Sequence, residues 1–374
     1  MKITKLAINH LRMPLVSPFE TSFGRAEERE SLLIEAFSEG MSGFGECVAD
    51  RDPGYAYETS GTAWHILQEF IAPLVFGVDF SSPQDFPDLV SPIRGHPMAK
   101  AGLEMALWDL AGKLGDVSVQ SMVGGKQETV PVGVSVGLQA CPEELVDVVE
   151  EYLADGYQRI KIKIKPERDV GDTGAVRRAY PDILLQVDAN SAYNLGTAQS
   201  LLPLDDMDVL VIEQPLAEDD LWDHRTLLSS FRTPLCLDES IVSLRHARQA
   251  LEMDACRIVN IKAGRVGGLT NGIKIHDLCR SKGIPVWCGG MLETGVGRAA
   301  NLALASLPGF KLPGDISASS RYYQQDITNE SFTLNPDSTI TVPQCPGLGV
   351  TIDRRALDQY SVKKVILTAE DYSN

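Results

Sequence analysis

The chain has 374 residues, 44% of them hydrophobic, and a formal net charge of −17. The length exceeds the roughly 250 residues of one (β/α)₈ barrel and leaves room for a smaller domain. The charge excludes a nucleic-acid partner, because no basic stripe is available to displace counterions from phosphates.

Seven scattered cysteines without a Cys-x-x-Cys spacing point to reduced, mostly buried thiols. No apolar stretch reaches the ~20 residues of a membrane span, so no membrane partner is expected. The N-terminus alternates like a strand and lacks a signal peptide's apolar core. A cytoplasmic location and a homo-oligomer are the expectations.

Residues 1–125 read as an α+β capping domain. Segments 1–11 and 31–37 alternate as strands, followed by turn-forming glycines between Gly40 and Gly45. Between them, Ser17-Pro18-Phe19-Glu20-Thr21-Ser22-Phe23-Gly24 shows no period. It reads either as an ordered loop able to cover a site or as a packed surface loop. A second irregular stretch, residues 49–55, precedes a helix starting near Glu58. Residues 97–113 form an amphipathic helix with Leu103, Ala106, Leu107, Leu110 and Ala111 on one stripe.

From residue 130 the pattern changes. A strand over 130–136 and a helix over 142–154, stopped at Gly156, lead into five short apolar runs. These end in Lys163, Asp188, Glu213, Asp238 and Lys262, spaced 25, 25, 25 and 24 residues apart. A fixed period signals one repeated supersecondary unit, and Val/Ile/Leu-rich runs separated by helix-length segments suit a βα repeat. Helices are expected over 172–180, 197–202, 219–231, 243–253 and 268–282. Strand seven falls at 285–288 and a short strand eight near 310–312, while 331–352 alternates and returns to the N-terminal domain. Eight candidate strands favour a closed (β/α) barrel over an open doubly wound sheet. The expected division is a capping domain at 1–125, completed by 331–374, and a barrel at 126–330.

In such a barrel all strand C-terminal ends meet at one mouth. Asp188, Glu213 and Asp238 would then form an all-oxygen set suited to a hard divalent cation, with Mg²⁺ the natural occupant. The alternative is that these acids only pair with the lysines. Lys161 and Lys163 are two apart and share a side of their strand. Lys161 would lower the pKa of Lys163 by disfavouring a second ammonium. Lys262 approaches from across the barrel. Two lysines flanking a metal suit proton abstraction beside a carboxylate, so a small-molecule carboxylate is the expected substrate. Lys165 precedes a proline and is expected at the solvated rim. No phosphate loop, dinucleotide fingerprint or Gly-x-Ser-x-Gly elbow occurs, and the six histidines have no metal-ligand spacing.

The Lys161-Ile162-Lys163 pair with Lys262 resembles the muconate-lactonizing subgroup of the enolase superfamily, whose fold is a modified TIM barrel with a capping domain. Further segments carry the likeness: 17–24, Gly45-Glu46-Cys47, Ala106-Leu107-Trp108-Asp109-Leu110, 262–268, Gly290-Met291-Leu292-Glu293-Thr294-Gly295 and Leu312-Pro313-Gly314-Asp315. Within the subgroup they are most similar to the o-succinylbenzoate synthase / N-succinylamino acid racemase family. That resemblance implies Mg²⁺, with Mn²⁺ as a substitute, on Asp188, Glu213 and Asp238. It implies Lys163 and Lys262 as acid/base partners on opposite faces of the substrate. Ser135, Asn190, Arg265 and Met291 would bind substrate, with Phe19, Phe23 and Tyr55 closing over it. A muconate-type cycloisomerase, a dipeptide epimerase and a catalytically dead scaffold are the alternatives. The single acid in Gly314-Asp315-Ile316-Ser317 disfavours the epimerase.

Overall fold

The computed structural model describes residues 1–373. Its strands are, in order, β1 (Lys5–Thr21), β2 (Gly24–Ser38), β3 (Met41–Cys47), β4 (Thr129–Pro131), β5 (Val134–Val136), β6 (Arg159–Lys163), β7 (Leu184–Asp188), β8 (Ile212–Glu213), β9 (Leu235–Leu237), β10 (Ile258–Ile261), β11 (Val286–Cys288), β12 (Thr339–Thr341) and β13 (Ser361–Thr368). Strands β5 to β11 form one parallel sheet in sequential order, with helices such as Pro142–Ala154 and Leu269–Ser281 between them. Apart from Leu184 at the start of β7, their residues are buried on both faces, as helix-covered parallel strands require.

The register explains the 25-residue period. Lys163 lies opposite Asp188, and Asp188 opposite Glu213. One βα unit therefore advances the chain to the same height on the next strand, and the charged residues form a row at the mouth.

No regular eighth strand forms among the described residues. Residues 310–315 make isolated bridges instead, Phe310 to Val286 and Gly314 to Val132. Asp315 N–H donates to the Cys288 carbonyl at 2.9 Å, and Gly133 N–H to the Gly314 carbonyl at 2.7 Å. Gly and Pro in Leu312-Pro313-Gly314 prevent a continuous ladder, yet the segment joins β11 to residues 131–133 at the start of β5 and closes the ring.

The capping domain is a four-stranded antiparallel sheet in the order β13-β1-β2-β3, packed on the helix Pro97–Leu114. Gly43 and Gly45 let that helix approach β3, since a Cβ at either would sit under 2.6 Å from its backbone. Two sequence expectations are corrected here. The segment 17–24 is mostly strand rather than an ordered loop: β1 and β2 are one long hairpin turning at Ser22-Phe23, with Phe19 opposite Ala26 and a register shift between Pro14 and Phe19. The prolines lack ladder N–H groups and fall at that shift. The returning strand is β13, paired with β1, whereas β12 within the expected 331–352 segment pairs with β4.

The hairpin tip reaches over the barrel. Leu138 N–H donates to the Glu20 carbonyl at 2.9 Å, and Ser22 Oγ donates to the Asn190 carbonyl at 3.0 Å. No helix of the described residues is long and apolar enough to cross a membrane.

Candidate active site at the barrel mouth

Beneath the hairpin tip lies a cavity of about 190 Å³ between the two domains. Of the residues expected to bind, Phe19, Phe23, Tyr55, Ser135, Asn190 and Met291 line it, together with Lys161, Lys163 and Lys262. Asp188, Glu213, Asp238 and Arg265 lie just behind that lining, each 1% exposed or less.

Lys161 and Lys163 share Asp188, whereas Lys262 is held by a different acid. Lys163 Nζ is 2.7 Å from Asp188 Oδ2. Lys161 Nζ contacts Asp188 Oδ2 at 3.0 Å, Glu213 Oε2 at 2.8 Å and Asp315 Oδ2 at 2.6 Å. Lys262 Nζ sits 2.8 Å from Asp238 Oδ2 and 3.1 Å from Tyr55 Oη. Tyr55 in turn donates to Asp238 Oδ1 at 3.0 Å. Arg265 completes this corner, binding Asp238 through Nη1 and the Asn260 carbonyl through Nη2 at 2.6 Å.

These contacts give the lysines unequal proton affinities. Burial opposes the charge of Lys161, but Asp188, Asp315 and Glu213 outweigh it and hold the ammonium above its ordinary value. Burial likewise opposes Lys262, while Tyr55, Glu213 and Glu239 hold it above the ordinary value. Lys163 differs. Burial pushes it down, the Lys161 ammonium adds to that, and the pull of Asp188 does not make up the difference. Of the three, Lys163 is the one whose ammonium gives up its proton most readily, and so the one most available as a base.

The donor set for a metal consists of carboxylate oxygens from the ends of three neighbouring strands, the chemistry a hard divalent cation takes. Two further buried oxygens close by, Asn190 Oδ1 and Glu239 Oε2, have no hydrogen-bond partner. By type the residues fit such an ion. As placed, their oxygens are turned to lysine and arginine, and no three acid, His or Cys side chains among the described residues already enclose an ion.

Several residues of the site escaped the sequence reading. Asp315 is the third anchor of Lys161 and also pairs with Arg159 Nη1 at 2.7 Å. Arg159 itself lies one strand repeat below Lys161, a period-two position that could have flagged it. Glu239 accepts from Asn190 Nδ2 at 2.9 Å, and burial pushes its carboxyl up to about 7, with Asp188 adding to the effect. Its place directly after Asp238 was the available clue. Tyr322 also lines the cavity. Lys165 is partly solvated, with Nζ 3.8 Å from Glu20, as expected of a rim residue.

Residues 144–356 match the enolase C-terminal domain-like family, and residues 3–124 match the N-terminal domain of the mandelate racemase / muconate lactonizing enzymes. The chain belongs to the enolase superfamily. This superfamily member is 48% identical to an o-succinylbenzoate synthase of Geobacillus kaustophilus, over 96% of each chain. It is 47% identical to an N-succinylamino acid racemase of an Amycolatopsis species, over 98% of this chain and 99% of that protein. The crystal structure of an enolase-superfamily protein from Listeria innocua superposes with a TM-score of 0.94 at 40% identity, over 99% of this chain and 100% of the other. Enolase-superfamily proteins of this type are generally dependent on a divalent metal.

Proposed function

We propose that this chain is a Mg²⁺-dependent o-succinylbenzoate synthase that also racemises N-succinylamino acids, both by removing a proton from the carbon next to a carboxylate. One observation carries the reading: Lys163 and Lys262 open on the same cavity from opposite sides of the barrel, anchored to different acids. Relatives named for each activity, at 48% and 47% identity, support it.

In this reading neutral Lys163 takes the α-proton on Nζ. Lys161 stays an ammonium and disfavours a second positive charge on that amine. In dehydration, the electron pair left at the α-carbon forms the new double bond as the β C–O bond breaks, and the departing hydroxide leaves as water with the proton from Lys163. Lys262 stays cationic beside the intermediate. In racemisation Lys262 delivers a proton to the opposite face instead. Asp188, Glu213 and Asp238 would hold Mg²⁺, or Mn²⁺ in its place, which supplies electrostatic stabilisation of the charge that develops on the substrate carboxylate. Tyr55, Phe19 and Phe23 exclude water, and Asn190, Ser135, Met291 and Arg265 shape the pocket or orient its charged groups.

A dipeptide epimerase needs free acid to receive an ammonium. Asp315 is already engaged by Arg159 and Lys161, which disfavours that alternative. A dead scaffold would have no use for four buried acids paired with five buried cations around one cavity.

The test follows o-succinylbenzoate formation spectroscopically beside polarimetry on N-succinylamino acids. Wild type is expected to show both. Lys163→Ala should lower both by roughly 10³-fold or more, and Lys262→Ala should abolish racemisation while sparing part of the dehydration. Full activity in Lys163→Ala would sink the assignment.

A further inference from the structure

The acids Asp188, Glu213 and Asp238 stand on or just beyond β7, β8 and β9, whereas β5 and the closing segment 310–315 lie on the opposite arc of the ring. Both arcs border the same cavity, which gives a substrate whose carboxylate sits at the acids room to extend towards the other arc. The wall there is made by Ser135, Phe19 and Tyr322.

Behind this wall is a charge without a counter-ion. Arg321 is 9% exposed, and no carboxylate among the described residues lies within ion-pair distance of it. Its Nη2 donates to the Ser135 carbonyl at 3.1 Å, and its Nε has no partner. The guanidinium lies 5.8 Å from the Phe19 ring and 5.0 Å from the rings of both Tyr152 and Tyr322. Aromatic faces offset part of the cost of burying a cation, but an unpaired buried charge is costly unless an anion completes it. The two cavity-lining residues that touch this guanidinium, Ser135 through its carbonyl and Tyr322 through its ring, each carry a hydroxyl. Ser135 Oγ is buried without a hydrogen-bond partner, and the hydroxyl of Tyr322, a residue 6% exposed, has none among the described residues.

We propose that Arg321, with the hydroxyls of the two residues it touches, Ser135 and Tyr322, makes this wall the receptor for a second carboxylate at the far end of the substrate's acyl arm. Arg321 is then a specificity-determining residue that favours an N-succinyl group over an uncharged acyl group of the same length. The inference rests on the N-succinylamino acid reading above, and binding tests it separately from turnover. A dianionic ligand also suits the site electrically, because Arg321 stands outside the acid–cation pairs around the lysines.

The experiment is calorimetric titration of the Mg²⁺-loaded protein with N-succinyl-L-phenylalanine and with N-butanoyl-L-phenylalanine, which carries a methyl in place of the distal carboxylate. Wild type should bind the succinyl ligand about tenfold or more tightly, the worth of charge-assisted hydrogen bonding. Arg321→Gln should bring the ratio towards one while changing the butanoyl affinity by less than about twofold, and Arg321→Lys should restore part of it. Should Arg321→Gln not fold, the double variant Ser135→Ala/Tyr322→Phe, which keeps the arginine and its stacking, decides by the same ratio. Equal binding of the two ligands by wild type, or an undiminished preference in these variants, overturns the inference. A preserved preference in a protein without turnover would instead overturn the proposed reaction.

Discussion

Two sets of buried carboxylates meet where the capping domain sits on the barrel, and they differ in what they bind. At the mouth, Asp188, Glu213 and Asp238 hold ammonium and guanidinium groups that open on a cavity. At the seam, the acids hold backbone. Glu104, on the capping helix, accepts from Leu269 N–H at 2.8 Å, Thr270 N–H at 2.9 Å and Trp108 Nε1 at 2.7 Å. Glu46, on β3, accepts from Thr294 N–H at 3.0 Å and Gly297 N–H at 3.1 Å. The helices Leu269–Ser281 and Gly295–Ala305 begin there, and each end offers unpaired N–H groups and a positive dipole. Carboxylates from one domain thus cap the helices of the other, beside Lys262 and Met291. A buried acid on a helix end is committed to architecture. An acid on a side-chain cation can exchange that partner for another, which a catalytic or metal site requires.

The sharpest break of this contrast compares Glu104→Ala with Lys163→Ala. Removing Glu104 takes the acceptor from four buried donors, of which Trp108 Nε1 keeps Thr270 Oγ1 at 3.2 Å, and should cost about 3–4 kcal/mol in denaturant unfolding, with kcat per folded molecule little changed. Lys163→Ala should do the reverse, losing turnover with a small change in melting temperature, because Asp188 keeps Lys161 at 3.0 Å. A Glu104→Ala protein that melts like wild type but no longer turns over would remove the distinction.

A smaller effect concerns Glu58, which caps the helix Pro97–Leu114 through Met98 N–H at 2.7 Å and Ala99 N–H at 3.0 Å. Burial pushes its carboxyl from 4.5 up to about 7, against those N–H groups and Lys100. The folded state then binds this proton more tightly than the unfolded chain, so the group's contribution to stability falls as pH rises from about 4.5 to 7 and is level above that. Glu58→Gln does not titrate. The stability difference, wild type minus variant, should shrink by about 1–2 kcal/mol across that window, read from melting curves at stepped pH. A difference that is flat with pH, or that grows, would show that the helix end keeps Glu58 ionised.

The contrast also shows what could be read before folding. The 25-residue spacing of Lys163, Asp188, Glu213 and Asp238 is legible because parallel register converts a constant interval into a row of neighbours. Where the period stops, legibility stops. Asp315 sits on a segment held by isolated bridges, so nothing in its spacing tied it to Lys161. Segment 17–24 looked like a loop because Pro14 and Pro18 break the alternation, although cross-strand pairing resumes at Phe19. Arg321 and Glu104 are further cases. Local sequence shows an arginine among aromatics and an acid on an apolar helix, whereas their meaning depends on a partner 186 residues away for the one and 166 for the other.

The smallest expected effect sets the baseline for the comparison. Arg248 and Glu252 form an i,i+4 pair on the helix Leu244–Glu252, at 3.8 Å, with both side chains 59% exposed. Water screens this pair and the long side chains lose freedom in forming it, so exposed pairs contribute little. Alanine is also at least as good a helix former as arginine. Arg248→Ala should therefore change unfolding free energy by less than about 0.5 kcal/mol and leave both activities unaltered. Because Arg248 and Glu104 both take part in charged or polar contacts one turn apart on a helix, their difference isolates burial as the deciding variable. A loss at Arg248 comparable to that at Glu104 would mean that charge count, rather than the partner and its burial, governs this protein's stability.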